Sequence, residues 1–238
     1  MFKFYHKQLF APNFLSIFIN SFYFSRKGLH RKLKKICPNL NGSVLDFGCG
    51  RKPYRDLFNN VSEYIGVDYE NEGHPHENED IDVFYDGKSL PFESERFDVV
   101  FSSEVFEHVE NLDEMIKELH RVLKPGGKLL VTVPFVYMEH EMPYDFRRFS
   151  INGLSSFLKN NGFKVLAQHK STKDIETLFQ VIAFNIYSFY LNQNKYLKLL
   201  LNFIFIAPFN ILGIILSFIL PNRGRFYSNC IIVSEKAA

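Results

Sequence analysis

From residue 43 onward, short and almost wholly apolar runs alternate with stretches whose apolar residues recur every three or four positions. Runs of the first kind, bounded by glycine or aspartate, read as buried strands, and the second period reads as helix. Strands are predicted at Ser43–Phe47, Tyr64–Val67, Ile81–Tyr85, Phe97–Phe101, Lys128–Val133 and Phe163–Gln168, with a last at Tyr227–Ser234. Helices are predicted at Ile151–Asn160 and at Leu112–Leu123, where Leu112, Met115, Ile116, Leu119 and Val122 share a face. Lys124-Pro125-Gly126-Gly127 is expected to stop the latter helix. Such alternation implies a mostly parallel sheet covered on both faces, with ligands outside the carboxyl ends of its strands.

The two ends of the chain follow another pattern. Pro12–Asn20 and Arg26–Ile36 read as helices, the second basic and amphipathic. Leu9–Phe24 is apolar but interrupted by Pro12, Asn13 and Asn20 and followed by basic residues, which does not suit a signal peptide. Leu178–Asn194 and Leu199–Asn222 carry no charge, and Leu199–Leu220 is long enough to cross a bilayer. A single crossing would strand the last β-segment on the wrong side of the membrane. Three readings stay open: amphipathic or re-entrant helices in a membrane interface, a buried lid or dimer interface, and a transmembrane hairpin. Basic flanks with Asn202, Pro208, Asn210 and Gly213 suit the first.

Charge sharpens this division. Residues 1–45 hold eight Lys/Arg and no acid, 177–234 hold four Lys/Arg and no acid, and 46–176 hold 25 of the 26 acids. Basic, apolar ends suit an anionic surface. A centre of net charge −10 disfavours nucleic acid as substrate. Cys37, Cys49 and Cys230, odd in number and without CxxC spacing, read as free thiols. The acidic, His-bearing stretch Glu70–Asp80, with His74 and His76, reads as a solvated loop, and no metal is expected.

Chemistry concentrates after the strands. In Val44–Tyr54 (VLDFGCGRKPY), Gly48 and Gly50 permit a tight turn and close approach of a ligand. Asp68 ends the second strand, 18 residues after Gly50, where a carboxylate can accept both hydroxyls of a ribose. No GxGxxG follows, since Arg51, Lys52 and Pro53 occupy that stretch. Asp46 would repel a phosphate and suits a ligand bearing an ammonium and a sulfonium.

With these residues in place, the chain resembles class I S-adenosylmethionine-dependent methyltransferases of the type-11 subgroup. VLDFGCG and YIGVDY resemble the first two motifs. Ser89–Val109 resembles the stretch around the fourth strand, and Leu123–Pro134 the joint that follows. The loop Pro134–Ser150, with its P-Y-D-x-x-R-F pattern, and Lys52–Tyr54 resemble enzymes encoded with polysaccharide and glycolipid assembly genes. The resemblance implies a Rossmann-like, seven-stranded, mostly parallel α/β sheet with an antiparallel last strand, helices on both faces, and an apolar helical insertion before that strand. The expected segments are 1–42 for the basic, aromatic helices, 43–175 for the cofactor-binding core, 176–222 for the insertion, and 223–238 for the last strand and tail.

Carried over, the resemblance implies that Asp46, Gly48, Cys49 and Gly50 line the methionine part of S-adenosylmethionine. Asp68 would hold the ribose and Tyr69 flank the adenine. Asp86 with Gly87 would contact the adenine amino group, and Ser103 and Glu104 would sit beside the cofactor. The candidate bases are His140 and Asp145, then His108. Tyr144, Arg147 and Arg148 are candidate substrate contacts, with an Asp145–Arg148 ion pair as the structural alternative. The acceptor is expected to be a sugar, glycan or lipid-linked glycan, O-methylated at the inner face of the cytoplasmic membrane, with residues 1–36 and 178–222 touching that surface. A quinone or lipid head group is the alternative acceptor. A non-catalytic binding module that keeps the fold is the alternative from another class. The oligomeric state is left open.

Overall fold

The computed structural model describes residues 7–69 and 80–237. The Glu70–Asp80 loop, with His74 and His76, therefore lies outside the described residues except for Asp80. Two compact units are formed. One is built from 34–134, 139–169 and 230–238, and the other from 1–33, 135–138 and 170–229, within the described limits.

The first unit carries a seven-stranded sheet. Its strands are β1 (Gly42–Phe47), β2 (Val61–Tyr69), β3 (Val83–Tyr85), β4 (Phe97–Ser103), β5 (Leu123–Pro134), β6 (Phe163–Lys170) and β7 (Asn229–Lys236). Their order is β3-β2-β1-β4-β5-β7-β6, with β3 to β5 joined in parallel and the last strand antiparallel. The Rossmann-like sheet expected from the sequence is thus present. Val44, Leu45, Val100, Leu129, Leu130 and Val131 are fully buried, as near-continuous apolar runs of a parallel sheet require.

The boundaries differ in instructive ways. β2 runs several residues beyond Tyr64–Val67 at each end. β3 begins at Val83 rather than Ile81, because Asp82 turns to other partners described below. Lys124-Pro125-Gly126-Gly127 does end the preceding helix, but it is also part of β5. Phe97 lies opposite Leu123 and Val99 opposite Lys128, so the four residues form a bulge in the ladder. Lys124 Nζ reaches back to both oxygens of Asp98 at 2.8 Å, and Asp98 also accepts from Ser43 N at 2.9 Å.

The second unit is helical: α1 (Ser16–Ile19), α2 (Tyr23–Ile36, whose last turn enters the sheet unit), and, after α3 (Leu112–Val122) and α4 (Ile151–Asn160) of the sheet unit, α5 (Asp174–Ser188), α6 (Lys195–Leu201) and α7 (Ala207–Ile219). A π turn, Asn202–Ile206, makes α6 and α7 one continuous helix. Pro208 lacks the N–H that would bond the Ile204 carbonyl, a local cause for irregularity there.

That long helix is inverted relative to a water-soluble one. Its buried positions include Asn202, Asn210, Gly213 and Ser217. Asn202 accepts from Ser21 Oγ (2.9 Å) and Tyr190 Oη (2.7 Å) and donates to Ile19 O (2.9 Å). Asn210 donates to Ile17 O at 2.8 Å. Gly213 admits Phe24 and Phe179, either of which a Cβ would meet at under 3 Å. The outer face carries exposed Phe203, Ile204, Phe205, Ile211, Leu212, Ile215, Phe218 and Ile219.

The apolar face of α3 is buried as its spacing predicts, with Met115, Ile116 and Leu119 fully enclosed. Leu119→Ala should lower unfolding free energy by about 2–5 kcal/mol in urea titrations, the usual cost of such a cavity.

Candidate active site

The loop after β1 folds over the end of β2. Gly48 and Cys49 both donate their N–H to Val67 O, at 2.9 and 3.2 Å. Gly48 and Gly50 have φ of 71° and 46°, a left-handed turn that side chains resist. Gly50 N then donates to Asp68 Oδ2 at 2.7 Å, and Tyr69 N to Asp68 Oδ1 at 2.8 Å. Each carboxylate oxygen keeps further acceptor capacity for ligand hydroxyls. The Tyr69 ring is partly exposed, lies against Gly87 and sits 5.8 Å from the Tyr85 ring. Asp86 Oδ1 accepts from Lys88 N and Ser89 N, at 2.8 and 3.0 Å, which fixes the loop after β3.

Behind this loop lies Asp46, buried and hydrogen-bonded by Tyr64 Oη at 2.7 Å. Burial pushes its carboxyl up to about 7; the Tyr64 hydrogen bond pulls the other way, and the Asp68 charge adds to the rise. Lys52 is also buried, and its Nζ lies 2.7 Å from Asp82 Oδ2. Asp82 accepts from Gly66 N at 2.6 Å as well. Burial and nearby acids raise the Cys49 thiol far above its usual range, so it lines the loop as a neutral group.

A second cluster is built from the loops after β4 and β5. Glu104, at the end of β4, has φ of 58° and accepts from Thr132 Oγ1 at 2.8 Å. Thr132 Oγ1 also contacts Ser103 Oγ at 2.9 Å. Left-handed backbone at a non-glycine residue is a mark of functional loops. His108 Nδ1 is 2.9 Å from Tyr144 O, and its Nε2 is 3.2 Å from His140 Nε2. His140 Nδ1 lies 3.2 Å from Asp145 Oδ2. Burial opposes ionisation of Asp145, but the two-pronged Arg148 fork and His140 N–H outweigh it and hold the acid down to about 2. Burial, then the His108 neighbour, lowers the pKa of His140, leaving it neutral near pH 7.

The structure therefore brings the three candidate bases, His108, His140 and Asp145, into one cluster. It corrects the reading of two substrate contacts. Arg147 donates to the carbonyls of Phe106 (3.2 Å), Val109 and Glu110 (2.9 Å), so its fork binds the β4 loop. Arg148 is spent on Asp145, in an irregular loop instead of a helix. Tyr144 remains exposed. Sequence reasoning missed Tyr64, Lys52, Asp82 and Glu107. Glu107 is the most unusual, an acid only 1% exposed whose two oxygens have no hydrogen-bond partner among the described residues. Nothing in the run Ser102–Asn111, which also holds Glu104 and Glu110, marks it as the buried acid.

A family model described as a methyltransferase domain matches residues 19–169. The chain belongs to that family. No curated protein matches the sequence. Among solved structures, the (4+2)-cyclase SpnF shares 19% identity, with 90% of this chain and 84% of that one covered and a TM-score of 0.58. A methyltransferase-like protein of Bacillus halodurans C-125 shares 21%, covering 87% and 98%, with a TM-score of 0.54. Phosphoethanolamine N-methyltransferase 2 of Haemonchus contortus, solved with S-adenosyl-L-methionine, shares 16%, covering 98% and 59%, with a TM-score of 0.53. At these identities the likeness is one of fold.

The methyltransferase is an enzyme whose cofactor is S-adenosylmethionine. The residues present fit that cofactor. Asp68 offers acceptor lone pairs beside a glycine turn, and Asp46 is a buried acid short of a cation. A bound ammonium would draw the proton off Asp46. Affinity for S-adenosylhomocysteine should then rise about five- to twentyfold from pH 5.5 to 7.5, by proton linkage, and Asp46→Asn should flatten the profile in calorimetric titrations. The same shift costs stability: the folded carboxyl keeps its proton where the unfolded one has lost it. Asp46→Asn should therefore melt higher than the parent at pH 8.

Proposed function

We propose that this methyltransferase O-methylates a hydroxyl of a sugar or glycan carried on a lipid, at the cytoplasmic face of the membrane. The observation that carries the location is the inverted helix Lys195–Ile219, which buries its asparagines and presents phenylalanine, isoleucine and leucine outward. An apolar face of that kind calls for an apolar neighbour. Lys195, Lys198, Arg223 and Arg225 flank it, as suits a helix lying in an anionic interface. Exposed Phe14 and Leu15 add apolar surface to the same unit.

The cofactor supplies an activated methyl group on a sulfonium. Asp68 holds the ribose, Tyr69 and Gly87 bound the adenine, and Asp46 faces the methionine end in this reading. Asp86, Ser103 and Glu104 complete the wall. What remains for the protein is to orient the acceptor and help its hydroxyl lose a proton as the new O–C bond forms. The polar cluster of Glu107, His108, His140 and Asp145 is suited to that, and Tyr144 is the exposed group beside it.

Asp68→Ala should weaken S-adenosylhomocysteine binding at least tenfold, since it removes charge-assisted hydrogen bonds of about 1.5–3 kcal/mol each. His140→Ala should leave that affinity within about twofold and abolish turnover. Vesicles of anionic phospholipid carrying lipid-linked sugars are the assay. Phe203→Asp with Phe218→Asp should cut sedimentation with those vesicles at least fivefold without lowering the melting temperature. Methyl transfer to quinone or head group instead of sugar would refute the acceptor, and unchanged sedimentation would refute the surface.

A further inference from the structure

Glu107, His108 and His140 present three donor atoms that lie within 4.8 Å of one another. His108 Nε2 is 3.2 Å from His140 Nε2 and 3.7 Å from Glu107 Oε1. The outer nitrogens of the two rings are already committed. His108 Nδ1 meets the Tyr144 carbonyl, which can only accept, so the proton of a neutral ring sits there. His140 Nδ1 lies 3.2 Å from Asp145 Oδ2, on the side of the ring away from His108. The two Nε2 atoms face one another. Beside them is a carboxylate buried without a hydrogen-bond partner among the described residues. Two imidazole nitrogens and a buried carboxyl oxygen converging on one point are a donor set that a cation can gather.

We propose that Glu107, His108 and His140 bind a divalent first-row transition-metal ion through one carboxylate oxygen and the two Nε2 atoms. The separations suit ligands that each stand about 2.0–2.2 Å from a common ion. Imidazole with carboxylate selects zinc, manganese, iron or cobalt over calcium or magnesium. The partners behind the ligands are those that metal-binding histidines need: Asp145 behind His140, itself held by Arg148, and a main-chain carbonyl behind His108. Glu141 Oε2, 3.9 Å from His108 Nε2 and largely exposed, is placed to be a fourth ligand or to yield to water or substrate. Three protein ligands and an open position are the arrangement of catalytic sites.

The site's use rests on the reading of the cluster as the acceptor-activating group. A cation at the open position lowers the pKa of a hydroxyl that reaches it. The hydroxyl proton leaves to water, the oxygen forms its bond to the methyl carbon, and the carbon–sulfur bond breaks with its electron pair kept by sulfur. Neither imidazole then needs to take the proton.

The test is binding of the metal itself, for which no acceptor is required. Tag-free full-length protein, stripped with chelator, is titrated with zinc by calorimetry and with cobalt by visible absorption. One equivalent of zinc at micromolar affinity or tighter is expected, with cobalt bands of four- or five-coordinate geometry. Glu107→Gln and His140→Ala should each weaken zinc at least tenfold while circular dichroism is unchanged. His140 lies on a partly exposed loop, so its loss does not open the core. Asp145→Asn should weaken zinc about 10- to 100-fold through His140. Absence of binding by the folded parent would overturn the site, as would binding that survives both ligand substitutions. Failure of every sugar acceptor would sink the proposed substrate and leave this measurement intact.

Discussion

β1 is hydrogen-bonded to β2 on one side and to β4 on the other. The chain therefore leaves β1 in one direction to build β2 and β3, and must return across β1 to begin β4. Where the strand order reverses in this way, connections diverge and the carboxyl ends open on a crevice. The register decides what faces it. Asp46 is level with Gly66 and Phe101, and Phe47 with Val67, so Gly48 turns just where Asp68 ends its strand. Glu104 leaves β4 at the same edge. The loop after β5 is then stitched to the one after β4 by Phe146 N donating to Glu107 O and by the Arg147 fork. Every group of the candidate site owes its position to that reversal.

The electrostatics of the site follow from two buried acids whose burial the fold offsets only in part. Asp98 and Asp145 have Lys124 and Arg148, and burial is outweighed in both. Asp46 has the Tyr64 hydroxyl with the Lys52 charge nearby, and Glu107, with no side-chain hydrogen-bond partner among the described residues, has the charge of Arg148 to set against its burial. Burial, reinforced by Glu104, raises the Glu107 carboxyl well above its usual value. A buried carboxylate costs several kcal/mol unless it is paired. Acids left in that condition are most readily explained by a ligand that supplies the missing charge. In the proposed reading the methionine end of the cofactor would supply it for Asp46, and a bound cation for Glu107.

Much of this was legible in the sequence because it depends on local period and on turn chemistry. The strands, the buried face of α3, the glycine turn and Asp68 all announce themselves within a few residues of chain. What could not be read depends on partners far apart. Lys52 looks like a surface cation beside a glycine turn, yet it is buried against Asp82, 30 residues on. Arg147 looks like an anion-binding group in a functional loop, and only the tertiary structure shows that the carbonyls of Phe106, Val109 and Glu110 occupy it, whereas the pairing of Arg148 with Asp145 was one of the two readings their spacing allowed. The clustering of Glu107, His108 and His140 could not be read either: Glu107 and His108 are adjacent, but His140 follows 32 residues later, and a shared point between two loops leaves no spacing to recognise.

The inverted helix shows a subtler limit. Asn202, Ile206, Asn210, Gly213 and Ser217 recur every three or four residues, so the sequence does contain a stripe. A reader expecting the apolar face inward sees only an apolar segment with scattered polar interruptions. Yet the interruptions are what holds the unit together, because Asn202 and Asn210 satisfy carbonyls of the chain around α1 that the short helix leaves open. Gly213 brings Phe24 and Phe179 close enough to seal the joint. With Asn202, Asn210 and Ser217 turned inward, the outer face from Phe203 to Ile219 is left apolar. Adhesion by polar groups and solvation by apolar ones is the division of labour that a lipid environment imposes on a helix, and water reverses it.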